Sequence, residues 1–349
     1  MSGRRVSAQI GLPGRSRLPR RRAAGWVVAA AAVLLTATSA GADCVPDAAT
    51  VQEGDTVICT GPNDPYVVPA EINQVTVDIQ EGASFPVGGS GVQVNDESQV
   101  TNSGEILIDF IGGIGISGGN GLFGDTAVYE NTASGTIIVN SPDSWGIFAG
   151  DFSEALVQGQ IRVNGDGSVG VQLGILSQVR LEEGAQLDVT GASGVGALCA
   201  GSGCEFYNGE GSNLVVSGED SVGFVGGASN QFFNDGHVEI SGLGATGFLL
   251  IEEGGGGTFE NHETGTLVLS EDETVGAFGE GEGSTLSNEG SISSTGDFSG
   301  VKALEAGLRG QISNAGAIEM DGDEATALLV GDGEENLSAT NRSQATVEE

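Results

Sequence analysis

Positive charge nearly disappears from this chain after its first 42 residues. Positions 43–349 hold five basic side chains, Arg162, Arg180, Lys302, Arg309 and Arg342, against 48 acidic ones, a net of −43. Five scattered cations build no basic patch and neutralise no phosphate backbone, so nucleic acid is excluded as a partner. The same charge disfavours anionic membrane surfaces and suits a soluble chain in cation-rich surroundings. Histidine occurs only at His237 and His262, and neither lies at zinc-site spacing from the four cysteines. Aromatic residues make up 5% of the chain, which argues against an extended sugar-stacking groove. No "GxSxG" stretch and no Ser–His–Asp set stand out, so acyl transfer has no motif to rest on.

Residues 1–42 are a different material. They contain no Asp or Glu and seven of the twelve basic residues, followed by the apolar run "GWVVAAAAVLLTATSAGA", which ends in the small residues Ala40, Gly41 and Ala42. Basic, then apolar, then small is the layout of a secretory signal peptide using the general export route. The run lacks the roughly 20 strongly apolar residues of a spanning helix; an uncleaved N-terminal anchor is the competing reading. Export exposes thiols to an oxidising compartment, so the close pairs Cys44–Cys59 and Cys199–Cys204 are expected as disulfides.

The rest of the chain repeats itself. Anchored on the first inward aliphatic of an alternating strand, the copies start at Ile106, Ile137, Ile161, Leu187, Leu214, Val238, Leu267, Ile292 and Ile318, and their spacing averages about 26 residues. A small residue follows each anchor by eight or nine positions: Gly115, Gly146, Gly170, Gly196, Gly223, Gly247, Gly276, Gly300 and Ala327. Each copy reads as three short strands. The first ends in apolar-x-Asn, the second alternates with period two ("TIIV", "QLDV", "HVEI"), and the third is "VGV", "VGF" or "TGF", with Gly, Ser, Asn and Asp between them. The 61 glycines and the period of two argue against helix, and about 26 residues are too few for a propeller blade. An all-β parallel β-helix of about nine to eleven coils is predicted. Its coils stack at about 4.8 Å, and nine rise roughly 40–45 Å. A lone coil cannot bury its own apolar face, so stability accrues along the stack.

The recurrent Asn208, Asn234, Asn261, Asn288 and Asn314 have two readings. In one, each takes left-handed backbone at a fixed turn and passes an amide hydrogen bond to the next, as a ladder; in the other they are solvated turn formers. Gln158 and Glu183 stand where the ladder would break. Gly before the second strand is expected to permit a tight corner. Residues 43–100 read as an N-terminal cap with degenerate coils, closed by Cys44–Cys59, and residues 101–349 as regular coils. "NRSQATVEE", from Asn341, begins a tenth copy and stops, so the chain reads as truncated or continued by a further segment.

The "N-x-G-x-I-x-V-S … VG" coil and "GDTVICTG" at Gly54–Gly61 resemble the passenger region of a bacterial autotransporter over about 43–349. The resemblance implies a signal peptide, a right-handed β-helix at the cell surface or released from it, and a C-terminal outer-membrane barrel, whose strands this sequence does not show. Parallel β-helices also carry polysaccharide lyases and hydrolases. Those need a base or an acid pair within a carboxylate cluster, and Arg162 and Arg180 belong to no recognisable set. The expectation is a non-enzymatic, adhesin-like or structural passenger without cofactor, which meets a protein or glycan ligand through its turns. The alternative is a carbohydrate-active enzyme. Projecting loops are expected between Ile106 and Ile137 and in the turn from Ile251. Weak calcium sites are candidates at "NGDGS" (Asn164) and "DGDEAT" (Asp321), where turn chemistry is the competing explanation. "GGNGLFGDT" from Gly118 resembles a calcium nonapeptide, but Phe123 stands where Asp is needed. A paired-histidine metal site at His237 and His262 is the remaining candidate, against solvated surface.

Overall fold

In the computed structural model the described residues are 44–349, except 119–125, 228, 252–255, 281, 295, 308, 331–337, 342–344 and 349. The signal peptide read over 1–42, the tip of the turn from Ile251, Phe123 and Arg342 therefore lie outside them.

The described residues contain strands and turns but no helix. Ten complete coils of three strands each stack on one another, with a partial coil at either end. Equivalent strands pair in parallel, so the coils build three continuous sheets; the first has 13 strands and the other two have 11 each. The fold is a β-solenoid, and the period of the sequence sets its register. The nine anchors sit opposite one another, from Ile106↔Ile137 through Leu214↔Val238 to Ile292↔Ile318.

In the first two sheets the second and fourth residues of a typical strand point inward, as in Glu205–Asn208 and His237–Ile240. Buried apolar side chains merge into one core along the stack. Its middle is aromatic. Phe206, Phe232 and Phe259 from the first sheet meet Phe224 and Phe248 from the third, all fully buried, with neighbouring ring centroids 4.6–6.3 Å apart.

The third strand is built differently. A strand such as Val195–Cys199 buries two consecutive residues, and the first of them is the small residue of the repeat. A Cβ on Gly115, Gly146, Gly170, Gly196, Gly223 or Gly247 would stand 2.5–2.6 Å from the carbonyl oxygen of the next coil. Close approach, not turn geometry, is what selects glycine in this column. One expectation needs correcting. In the copy that starts at Ile292 the column residue is Ala303, between the paired Lys302 and Leu304, and not Gly300. Gly300 lies in the preceding corner at φ +72°, because this copy has a longer connection after its second strand.

Left-handed backbone occurs at the corners, frequently at residues other than glycine. Between the second and third sheets it falls on Asp143, Ser193, Asp220, Glu273 and Glu324. The reason is hydrogen bonding along the stack. In that conformation Asp143 N–H reaches Asp166 O at 3.1 Å, Ser193 N–H reaches Glu219 O at 2.8 Å, and Asp220 N–H reaches Leu243 O at 2.9 Å. Asp and Ser tolerate the region better than bulky residues do.

One end of the stack is closed by the segment before the first coil. Cys44–Val45 pairs antiparallel with Thr56–Cys59, and the Cys44–Cys59 disulfide joins partners directly opposite one another. Val51 and Ala48, in the connecting turn, pack onto the core from outside the coils. Cys199–Cys204, the second disulfide, ties the end of a third-sheet strand to the residue before the next first-sheet strand.

Candidate functional site

The ladder asparagines are the fourth residues of first-sheet strands, and their side chains point into the core rather than into water. Asn208 Nδ2 donates to Asn234 Oδ1 at 2.7 Å, Asn234 to Asn261 at 2.7 Å, Asn261 to Asn288 at 2.6 Å and Asn288 to Asn314 at 2.7 Å. None of the five has positive φ, contrary to the left-handed turn expected for them. They end a strand, and the turn proper follows. A second, shorter run links Asn102 to Asn131 at 2.8 Å. The residues that separate the two runs are Val157 and Leu181, in register between Asn131 and Asn208; Gln158 and Glu183 lie beyond the ladder position. The ladder is internal.

The outward face of the same sheet carries the densest polar chemistry. Its third strand positions bring Arg180, Tyr207, Phe233 and Glu260 onto successive coils. Arg180 sets its guanidinium carbon 5.1 Å from the Tyr207 ring centroid and its Nε 3.0 Å from Glu182. Asp235, one residue past the ladder, is the hub. It accepts hydrogen bonds from His262 Nδ1 at 2.9 Å and from Thr264 Oγ1 at 3.3 Å, and the Tyr207 hydroxyl lies near enough to lower its pKa. His262 Nε2 faces Glu260 at 3.4 Å, and its ring lies 5.8 Å from that of Phe233. Beside this network is an open depression of about 400 Å³, lined by Glu210, Asn213, Asp235, His237, Thr264 and Thr266.

The two histidines are engaged separately. His237 Nδ1 pairs with Thr266 Oγ1 at 2.8 Å, while His262 serves the two carboxylates from opposite ring nitrogens. Among the described residues no group of three or more His, Cys, Asp and Glu is placed to hold a metal ion. In "NGDGS", Asn164 continues a side-chain chain from Asn140 to Thr190, and Asp166 accepts from the Ala192 N–H. At "DGDEAT" the backbone of Asp321 exchanges hydrogen bonds with Ser294 Oγ. Arg162 stands 3.7 Å from Asp188, on the second sheet and apart from Arg180.

Electrostatics fix the protonation of the network. Burial pushes the His262 pKa down, but the hydrogen bond and charge of Asp235, aided by Glu260, outweigh it and hold the imidazolium above its ordinary 6.5. Burial raises Asp235, yet its hydrogen bonds from Tyr207 and His262 and the imidazolium charge carry it below 3.8. The hydrogen bond to Asp235, then burial, raise the Tyr207 phenol. A raised imidazole stabilises the fold below its unfolded pKa of 6.5 and loses that contribution as pH rises through the folded value. A depressed carboxylate stabilises it above 3.8 and loses that contribution as pH falls through the folded value. The stability lost in His262→Gln, followed by thermal melts against pH, is therefore expected to be greatest between about pH 4 and 6.5. A difference independent of pH from 5 to 9 would contradict this.

Tyr207 and Asp235 escape a reading of single motifs because they lie 55 and 27 residues from His262, in other coils, while Glu260 lies two residues before it in the same coil. Aligning the repeats by register would have brought them together: Tyr207, Phe233 and Glu260 share one position, and Asp235 and His262 share the position just past the Asn. No family model matches the chain, and no curated protein matches it.

Proposed function

We propose that this chain is an exported, non-enzymatic β-solenoid that acts at or beyond the cell surface as an adhesin-like or structural passenger. One observation carries the reading: an internally monotonous stack with a chemically varied exterior. The inward residues repeat coil after coil, while one outward register position reads Thr101, Glu130, Leu156, Arg180, Tyr207 and Phe233 on six successive coils. Such a scaffold projects different side chains at fixed spacing, which is how a long binding surface is made from short turns. The two disulfides support an oxidising destination, and the autotransporter-like repeat supports delivery by an outer-membrane barrel encoded with it or beside it.

A second reading, a carbohydrate-active enzyme, draws on the Tyr207–Asp235–His262 network, since shifted protonation clusters at catalytic sites. One experiment separates the two. The full chain is expressed in a Gram-negative host, and export, thiol state and action on acidic polysaccharides are followed. The proposal expects protein outside the cytoplasm with no free thiol, retention on immobilised glycan or protein, and no new reducing or unsaturated ends. Reduced protein confined to the cytoplasm would overturn export, and turnover would overturn the non-enzymatic reading.

A further inference from the structure

At the corner that leads from the third sheet back to the first, coil after coil among the described residues places one residue in left-handed backbone. Gly203, Ser229, Gly283 and Arg309 take this place in later coils, at φ from +55° to +82°. In two successive coils it is taken by Phe152 (φ +56°) and Leu176 (φ +54°). Both are bulky, and such residues disfavour this region. Neither is hidden: Phe152 is 46% exposed, Leu176 56%, and the adjoining Ile175 43%. The backbone geometry itself is secured by hydrogen bonds along the stack, Phe152 N–H to Ile175 O at 2.8 Å and Leu176 N–H to Ser202 O at 3.0 Å. The turn needs no apolar residue: Gln74, Glu97, Gly203, Ser229, Gly283 and Arg309 close it in other coils. Two unfavourable features, strained backbone and exposed apolar surface, thus coincide on adjacent coils without serving the fold, which is the pattern of a functional surface.

Phe152 and Leu176 form one wall of an open depression of about 460 Å³. Its floor is small, made by Ala127, Ser153, Ser177 and Gly203. The opposite wall holds Glu154, Gln178 and Glu205, the outward first residues of successive first-sheet strands. Among the described residues, Glu154 and Glu205 are its only charged ones. Nearby, Arg180 is turned to Glu182 and Tyr207. The groove runs along the stack axis over four coils, a length of about 14 Å at 4.8 Å per coil, or about four residues of extended chain.

We propose that this corner groove binds an extended peptide segment that alternates apolar with Lys or Arg side chains. Its apolar groups pack on Phe152 and Leu176, and its cations meet Glu154 and Glu205. Charge complementarity selects this occupant: the wall is anionic, within a surface whose net charge is strongly negative, and the facing wall is apolar. The assignment deepens the binding-scaffold reading and rests on it.

The test uses purified chain from residue 43 and a fluorescein-labelled hexapeptide of alternating Lys and Leu, read by anisotropy, beside Lys–Ser and Glu–Leu peptides of equal length. The Lys–Leu peptide is expected to bind at least tenfold tighter than either control. Phe152→Gly with Leu176→Gly is expected to weaken it at least tenfold without lowering the melting temperature, since glycine suits the backbone at both positions. Glu154→Gln with Glu205→Gln should weaken it and flatten its salt dependence. Equal binding of the Lys–Leu and Lys–Ser peptides would overturn the proposal, as would full binding by the double-glycine variant. So would a dimer of the wild-type chain that the double-glycine variant abolishes, because the occupant would then be a second copy. Failure at this groove leaves export and retention on other ligands unaltered, so it is distinguishable from failure of the scaffold reading.

Discussion

Phe232→Ala is expected to cost about 3–5 kcal/mol and to lower the thermal midpoint by about 10 °C. Phe232 is fully buried at the centre of the aromatic run, 4.9 Å from Phe206, 6.0 Å from Phe248 and 6.3 Å from Phe224 between ring centroids. Removing the ring deletes contacts to the preceding coil and to the facing sheet. The void cannot collapse along the stack, because backbone hydrogen bonds hold successive coils at about 4.8 Å. Nor can it collapse across the core, because the third sheet is held by its own ladder. Phe232→Leu, which keeps most of the volume, should cost about 1 kcal/mol. Calorimetry of the two variants is the check, and an alanine penalty below about 1 kcal/mol would mean that the core is more loosely packed than the ring distances show.

Asn234→Asp is the second large effect, and it depends on pH. Asn234 both accepts from Asn208 and donates to Asn261, and it is fully buried. Aspartate removes the donor and puts a charge where there is no water, so about 3–5 kcal/mol is expected at neutral pH. Burial raises the carboxyl pKa in the folded state above about 3.9 in the unfolded chain. The sign follows: below about pH 4 the acid is neutral in both states and the variant comes nearest to wild type, and it weakens steadily as pH rises through the folded pKa. Asn234→Leu should also destabilise, by about 2–4 kcal/mol, because it strands the amides of Asn208 and Asn261, but without the pH dependence. Leu181 and Val157 occupy the same register position natively, so the shape is acceptable and only the interrupted amide chain is at fault. Melting curves from pH 3.5 to 8 check both variants, and a flat profile for Asn234→Asp would contradict the buried placement.

The repeat was legible because register in a solenoid is written into linear spacing. Ile106, Leu187, Val238 and Ile318 mark the same rung whether counted along the chain or seen in space. Both disulfides were legible for a related reason, since each closes a loop within one coil or cap. What the linear pattern hid were features created between coils. The Gly300 error arose because the longer connection after Ile292 moved the close-contact column to Ala303, and alanine hides among other alanines. The ladder breaks were assigned to the polar Gln158 and Glu183. Yet the ladder position faces inward, where the natural replacement for a buried amide is Val157 or Leu181. Left-handed Asp143 and Asp220 leave no sequence mark, because the hydrogen bond that selects their backbone comes from the neighbouring coil. The Tyr207–Asp235–His262 network is likewise assembled from three coils, each of which looks unremarkable alone.

The reversed direction of Cys44–Val45 against Thr56–Cys59 has a consequence for assembly. Every other strand pairing among the described residues is parallel, so a further coil arriving at this face would find an oppositely oriented strand already locked there by a covalent bond. Stacked coils left bare recruit their own kind and grow into filaments. Here Cys44–Val45 instead presents a strand of the opposite direction to any coil that meets this face.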